Sequence, residues 1–285
     1  MKITSLDAPL GAVVSGIDLS QPLDAASASA LRKAWLDNII LVFHDQDLSD
    51  PQLLAFARHF GALEFPPSRL LNYSQGSGQK DDIPPEVNVI SNVVENGKKI
   101  GQLGAGEARW HTDSSFVERP PSASILHALE LPPSGGNTSF MDMYAALESL
   151  PQSLRRRIEG RSCKHDCSHT SDGVLRRDFA SSRDASECPG PSHPLIRTHP
   201  ETGRKSLYIG SHTQRFAGMK DEESDGIIKY LRRHAIRPEF TCRFRWDVGS
   251  LALWDNRCVQ HYAINDYHGH RRRAHRITIR GDTPF

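Results

Sequence analysis

The sequence predicts an α+β protein with a β-rich core. Three observations carry that prediction. Helical patterns cluster early and in the middle of the 285 residues, strand patterns fill the centre and the end, and the two do not alternate as a βαβ array requires.

The elements follow in order. "DAASASALRKAWLDN" (24–38) has a cap at Asp24 and apolar residues at helical spacing, and "IILVFHD" follows as a buried strand. "SDPQLLAFARHFG" (49–61) predicts a helix with Asp50 as N-cap, Pro51 in its first turn and Gly61 past its end. "EVNVISNVVENGKKIG" predicts a strand and then a tight turn at Asn96-Gly97. "SASILHALE" is a strand candidate. "MDMYAALESLPQSLRRRIEG" (141–160) predicts two short helices, the second from Pro151. Residues 168–193, rich in Ser, Asp, Arg and Pro, predict a long loop. "PLIRTHPETGRKSLYIG" is a hairpin about Glu201-Thr202-Gly203, and "DEESDGIIKYLRRHA" is a helix. The last stretch, from "EFTCRFRW" to "HRITIR", reads as a strand, a turn, two strands and a long final strand.

Composition removes several functions. Lys and Arg number 35 against 34 Asp and Glu, a net charge of +1, without the basic excess of a dedicated nucleic-acid binder. The opening "MKITSLDAPLGAVVSGIDLS" lacks an apolar h-region, so no signal peptide is expected. "IILVF" is far too short to cross a bilayer, and no membrane partner is expected. Five irregularly placed cysteines suggest reduced thiols in a cytoplasmic protein.

The chemistry centres on "GEARWHTDSSFVERPP" (106–121). On a strand, residues i and i+2 share a face. His111 and Asp113 can therefore address one ion while Thr112 turns away. With a second histidine they form the two-histidine, one-carboxylate set that leaves three positions open on an octahedral iron. In a chain of 14 histidines such a tripeptide is also cheap. His199-Pro-Glu201 predicts a solvated pair at a hairpin turn, and His268-Gly-His270 a polar loop. The distal half supplies His261, then Arg272 and Arg276, four apart on an extended segment and so on one face. Arginines behind an open metal site capture carboxylates bidentately. Cys163, His165, Cys167 and His169 would share a strand face, but their spacing matches no standard zinc site. The four tryptophans read as core, with Trp110 alone near the site.

Taken together, "LVFHDQDLSDPQLLAFARHFGALE", "WHTDSSF", "PPSGGNTSFMDMYAALESLP", "RTHPETGRKSLYIG" and "WDNRCVQHYAINDY" resemble the taurine dioxygenase and 2,4-dichlorophenoxyacetate dioxygenase family, which uses iron(II) and 2-oxoglutarate. The resemblance spans nearly the whole chain. It implies one domain over 1–285, a double-stranded β-helix (jelly-roll) core with helices outside, and a homo-oligomer, dimer or tetramer. It implies His111, Asp113 and His261 as iron ligands. It implies Thr138 and Arg272 as holders of the co-substrate 2-oxoglutarate and Arg276 as the partner of the substrate's acid group. The implied reaction consumes dioxygen, converts 2-oxoglutarate to succinate and carbon dioxide, and hydroxylates a small anionic substrate, with C–S or C–O cleavage where the carbon bears sulfur or oxygen. The implied substrates are alkylsulfonates, alkyl sulfates and aryloxyalkanoates. Asp113 argues against a halogenase, which needs that position for halide. "FGALEFPPSRLLNYSQ" has no histidine where the taurine enzymes carry one, which argues against taurine itself. Segments 65–75, 103–109 and 168–190 are the candidate substrate-facing stretches, with Arg69 and Asn72 as polar contacts. A non-catalytic barrel that holds a metal or a small acid is the alternative.

Overall fold

The computed structural model describes residues 1–66, 83–103, 109–176, 179 and 188–285. The N-terminal part holds β1 (Lys2–Ser5), β2 (Ala12–Ser15), α1 (Ala25–Asn38), β3 (Ile40–Phe43), α2 (Asp50–Ala57) and the short β4 (Leu63–Glu64). The middle holds β5 (Asn88–Ser91), the β6 (Val94–Glu95) and β7 (Lys98–Lys99) hairpin, β8 (Gln102–Leu103), β9 (Ala123–Glu130), β10 (Thr138–Asp142), α3 (Met143–Glu148) and α4 (Gln152–Ile158). Next come β11 (Ser162–His165), β12 (Ser192–Pro194), β13 (Ile196–Thr198), β14 (Lys205–Leu207), β15 (Thr213–Phe216) and α5 (Asp221–Ala235). The chain closes with β16 (Thr241–Phe244), β17 (Leu251–Asp255), β18 (Val259–Ala263) and β19 (Arg273–Ile279).

Helix starts follow local chemistry. Asp24 caps α1 through its carboxylate on the Ser27 amide. The second helix begins one residue earlier than the sequence suggests: Ser49, not Asp50, is the N-cap, because Gln52 reaches back to the Ser49 amide and closes a capping box. Asp50 instead bonds His275 at 2.6 Å. At the hairpin tip Asn96 and Gly97 both take positive φ, 50° and 75°, the conformation such two-residue turns require.

Nine strands form one sheet in the order β1-β2-β3-β17-β9-β19-β5-β8, with β4 also on β19. Its pairings are antiparallel except β2–β3 and β5–β8. Strand alternation gives it two apolar faces. Leu41, Phe43, Ile125, Leu251, Leu253 and Ile277 face Leu31 and Trp35 of α1 and Leu53 and Phe56 of α2. Ile40, Val42, Leu126, Ala252, Trp254 and Ala274 face the other way, onto Phe140, Phe244 and Val259 of the three-stranded sheet β16-β10-β18. The chain is therefore α+β and β-rich, with helices outside one face and a second sheet over the other. Trp254 and Ser124, paired across β17 and β9, lie on the face turned toward the second sheet. The site described next sits between the two sheets.

Candidate metal centre

His261 lies mid-way along β18, opposite Phe140. His111 lies in no long strand. It makes a single antiparallel bridge to His261, with reciprocal bonds from the His111 amide to the His261 carbonyl (3.1 Å) and back (2.7 Å). The two rings stand 4.2 Å apart. The backbone then turns, and Ser114 takes a φ of 49°, a strained value for a residue with a Cβ. Asp113 stands at the start of that turn with its carboxylate toward the histidines. Asp113 Oδ1 lies 4.0 Å from His111 Nε2 and 4.0 Å from His261 Nε2. Thr112 turns away and donates to the Asn256 carbonyl at 2.7 Å. Among the described residues, these three make the only cluster of three metal-binding groups, all buried.

The protonation states suit a divalent cation. Burial pulls the His111 imidazole down, and His111 Nδ1 donates to the Arg109 carbonyl at 2.7 Å, which leaves Nε2 with its lone pair facing Asp113. Burial, reinforced by the neighbouring His111, pulls His261 down to about 3. Burial pushes the Asp113 carboxyl up. Arg276, with smaller contributions from His261, His111 and the Ser124 hydroxyl, outweighs it and holds Asp113 well below the usual carboxylate range. Two neutral imidazoles and one carboxylate are the donor set expected of iron(II), manganese(II) or zinc(II). The residues present therefore fit a metal.

The two oxygens of Asp113 are held differently. Oδ1 faces the imidazoles and accepts from Arg276 Nη1 at 2.8 Å. Oδ2 accepts from the Ser124 hydroxyl at 2.6 Å. Ser124 in turn accepts from Asn256 Nδ2 at 2.9 Å, and Asn256 Oδ1 accepts from Trp254 Nε1 at 2.9 Å.

A cleft opens beside the histidines. Thr138, Arg272 and Arg276 line it together, with Ile90, Leu126 and Tyr267 among its apolar walls. Trp246 Nε1 donates to Thr138 Oγ1 at 2.9 Å, so the threonine's own proton is free to serve an anion. The Arg272 backbone is fixed by Asn92, whose side chain accepts from its amide at 2.8 Å. Its guanidinium is buried, and its Nε has no hydrogen-bond partner among the described residues. Burial lowers its pKa, and among the described residues Tyr267 alone opposes that. Gly136, at φ 67°, passes close to this side chain; an added Cβ would sit 3.5 Å from Arg272 Cδ.

A tight hairpin roofs the cleft. His169 and Leu175 bridge across it, and Ser171 and Asp172 at its tip line the cleft together with the arginines. The Arg109 amide donates to the Ser171 carbonyl at 3.0 Å. One residue thus holds the His111 ring through its carbonyl and the roof through its amide.

Four sequence readings need correction. His199 is not solvated: it is 1% exposed, bonds Asp255 at 3.0 Å, and accepts the Glu201 and Thr202 amides to close its own turn. Glu201 is paired with Arg257 and Arg32, both at 2.7 Å. Trp110 is not the sole tryptophan near the site. Trp246 and Trp254 line the cleft, and Trp254 lies 5.0 Å from the His261 ring, while Trp110 stacks on Tyr262. Arg272 precedes β19 rather than lying within it, and a register shift follows at Arg273/Ala274, yet Arg272 and Arg276 reach the same cleft. The cysteine–histidine stretch is dispersed: Cys163 bonds the Arg215 carbonyl, His165 stacks on Tyr208, and His169 pairs with Asp166. All five cysteines are free. Arg69, Asn72 and most of the segments 65–75 and 103–109 lie outside the described residues. Sequence reasoning missed Ser124, Asn256, Trp246 and Asp172, which carry no local signal beyond a polar or aromatic residue in a strand or loop.

Residues 2–278 match the model of the "Taurine catabolism dioxygenase TauD, TfdA family". The chain is 34% identical to an (S)-phenoxypropionate/alpha-ketoglutarate-dioxygenase of Sphingobium herbicidovorans, over 92% of this chain and 88% of that protein. It is 35% identical to the alpha-ketoglutarate-dependent 2,4-dichlorophenoxyacetate dioxygenase of Cupriavidus pinatubonensis, over 94% of each. An alkylsulfatase of Acinetobacter baylyi is 32% identical over 99% of this chain and 86% of its own length. Two solved structures superpose with TM-scores of 0.80 at 32% identity and 99% coverage of this chain. One is a putative alpha-ketoglutarate-dependent taurine dioxygenase from Burkholderia xenovorans, 90% covered; the other is AAD-2 in complex with Mn(II) and N-oxalylglycine, 98% covered.

Proposed function

Because the chain belongs to the TauD/TfdA family, we propose that it is an iron(II)- and 2-oxoglutarate-dependent dioxygenase that hydroxylates a small organic anion. The observation that carries this is the convergence of His111, Asp113 and His261 beside a cleft lined by two arginines and a threonine. Bound iron would supply oxygen activation coupled to decarboxylation of 2-oxoglutarate. His111, Asp113 and His261 would hold it and leave three positions open. Arg272 and the Thr138 hydroxyl would receive the distal carboxylate of 2-oxoglutarate. Arg276 would hold the acid group of the substrate, and so fix which C–H bond faces the metal. The apolar wall of Ile90, Leu126 and Tyr267 would keep water from the reacting carbon. The two packed sheets support a double-stranded β-helix core. Free cysteines fit a reducing compartment such as the cytoplasm.

The relatives named for phenoxypropionate, dichlorophenoxyacetate and alkyl sulfate point to aryloxyalkanoates and alkyl sulfates as substrates to test first. The deciding assay measures succinate formed with each member of a panel of these and of alkylsulfonates. Stimulation by one of them, with a weak lilac band on adding iron(II) and 2-oxoglutarate without air, supports the enzyme. Well-metallated protein without either signal points to a non-catalytic barrel.

A further inference from the structure

The hydrogen bonds behind Asp113 run in one direction, and the direction follows from chemistry. An indole nitrogen only donates, so the Asn256 atom facing Trp254 Nε1 at 2.9 Å is its carbonyl oxygen. That orientation turns Asn256 Nδ2 toward Ser124 Oγ, at 2.9 Å. A hydroxyl that accepts an amide proton keeps one proton of its own to give. The Ser124 proton goes to Asp113 Oδ2, at 2.6 Å. The chain cannot reverse, because an indole nitrogen cannot accept and an ionised carboxylate cannot donate. Its middle member is itself fixed: the Asn256 amide donates to the Ser122 carbonyl at 2.9 Å, and its carbonyl accepts from Thr112 at 2.7 Å. Ser124 and Asn256 are both buried.

We propose that Trp254, Asn256 and Ser124 are positioning residues that commit Asp113 to metal ligation through Oδ1 alone. The proposal rests on the metal reading of His111, Asp113 and His261. Oδ1 is the oxygen that faces both imidazoles; it accepts from Arg276 with one lone pair and keeps the other for a metal, while Oδ2 is engaged from behind. A carboxylate with Oδ2 released can rotate and chelate through both oxygens, taking a position that 2-oxoglutarate or dioxygen needs. Denticity, rather than metal affinity, is then what the relay controls. Outer partners of this kind orient metal ligands in many sites; here the sequence of donors specifies which oxygen is left for the metal.

The test uses whole protein loaded anaerobically with manganese(II) or iron(II). Ser124→Ala should bind manganese(II) within about threefold of wild type, yet bind 2-oxoglutarate at least tenfold more weakly, and its iron(II)–2-oxoglutarate lilac band should shift or fade. Asn256→Asp keeps the serine but makes its neighbour an acceptor, which draws the Ser124 proton away from Asp113. It should reproduce the alanine phenotype. Ser124→Thr, which restores the hydroxyl, should recover the band. Trp254→Phe keeps the ring and loses the donor; it covers the case in which Ser124→Ala does not fold, and should shift the band in the same sense. Wild-type protein without metal binding overturns the metal reading and this inference with it. Wild-type binding with an unchanged band and unchanged 2-oxoglutarate affinity in Ser124→Ala and Asn256→Asp overturns this inference alone.

Discussion

Replacing Arg272 with methionine should move stability and affinity in opposite directions. In the protein without co-substrate, the Arg272 guanidinium is buried, and among the described residues its Nε lacks a partner and Tyr267 alone favours its charge. A desolvated cation without a counter-ion costs stability, and methionine fills similar space without a charge. Because the cleft admits some water, we expect a gain of about 1 kcal/mol in the metal-free protein, or roughly 2 °C in melting temperature. The same substitution removes the bidentate partner proposed for the distal carboxylate of 2-oxoglutarate. Truncating one side of such a pair costs on the order of 2–5 kcal/mol, at least about thirtyfold in affinity. The assay is a set of thermal melts on metal-free protein and on manganese(II)-loaded protein, the latter with and without 2-oxoglutarate. Wild type should rise by about 2.7 kcal/mol at a hundred times its dissociation constant, and the variant by less than about 1 kcal/mol at that concentration. The Michaelis constant for 2-oxoglutarate should rise far more than that for substrate. An Arg272→Met protein that melts lower than wild type and keeps its response to 2-oxoglutarate would refute the reasoning on both counts.

Alanine at His111, Asp113 or His261 should remove most metal binding and turnover; full activity in His261→Ala would end the ligand assignment. With Arg276→Gln, the preference for an acidic substrate over its neutral amide should collapse by about a hundredfold while slow 2-oxoglutarate decarboxylation persists, and an unchanged preference would pass the anion to another residue. His212, pulled down to about 4 by burial, binds its proton less readily folded than unfolded. Its contribution to stability is complete above the unfolded value near 6.5 and falls away as pH drops toward 4, by about 3 kcal/mol at most. Denaturant melts of the metal-free protein from pH 7 to 4 should show that loss, and His212→Gln should flatten part of it. Asp172 is the only carboxylate among the described cleft-lining residues, so Asp172→Asn should tighten binding of simple anionic substrates several-fold in kinetic titrations at low salt, and less at high salt; weaker binding would contradict a repulsive role.

Much of this was legible because local rules happened to decide it. The helix at 25–38 and the Asn96-Gly97 turn express capping and positive φ, each of which acts within a few residues. His111 and Asp113 were legible as a pair, although the physical cause differs from the one expected. His111 makes an isolated bridge and Asp113 already belongs to a turn, so the two meet without a continuous strand. What was not legible depends on distant pairing. Nothing near Ser124 announces that β17 will place Trp254 beside it and that Asn256 will reach its hydroxyl. His199 looked solvated because its neighbours are a proline and a glutamate, yet Asp255, 56 residues on, gives it a buried partner.

Arg109 has a bearing on how such a protein can be re-engineered. Its carbonyl steadies the His111 ring while its amide grips the Ser171 carbonyl in the roof hairpin. The grip is made by peptide groups that every residue except proline at 109 provides, so side chains at 171 and 172 can be exchanged with it intact, whereas Gly173 is fixed: it takes a φ of 87°, and an added Cβ would stand 2.7 Å from the Arg109 guanidinium. A graft of different length is another matter. If it moves the carbonyl at position 171, the strain passes through one residue, Arg109, to the imidazole of His111, a proposed metal ligand. Swapping loops between relatives to change substrate preference should therefore preserve register at that single point, and diversity is best introduced on either side of it.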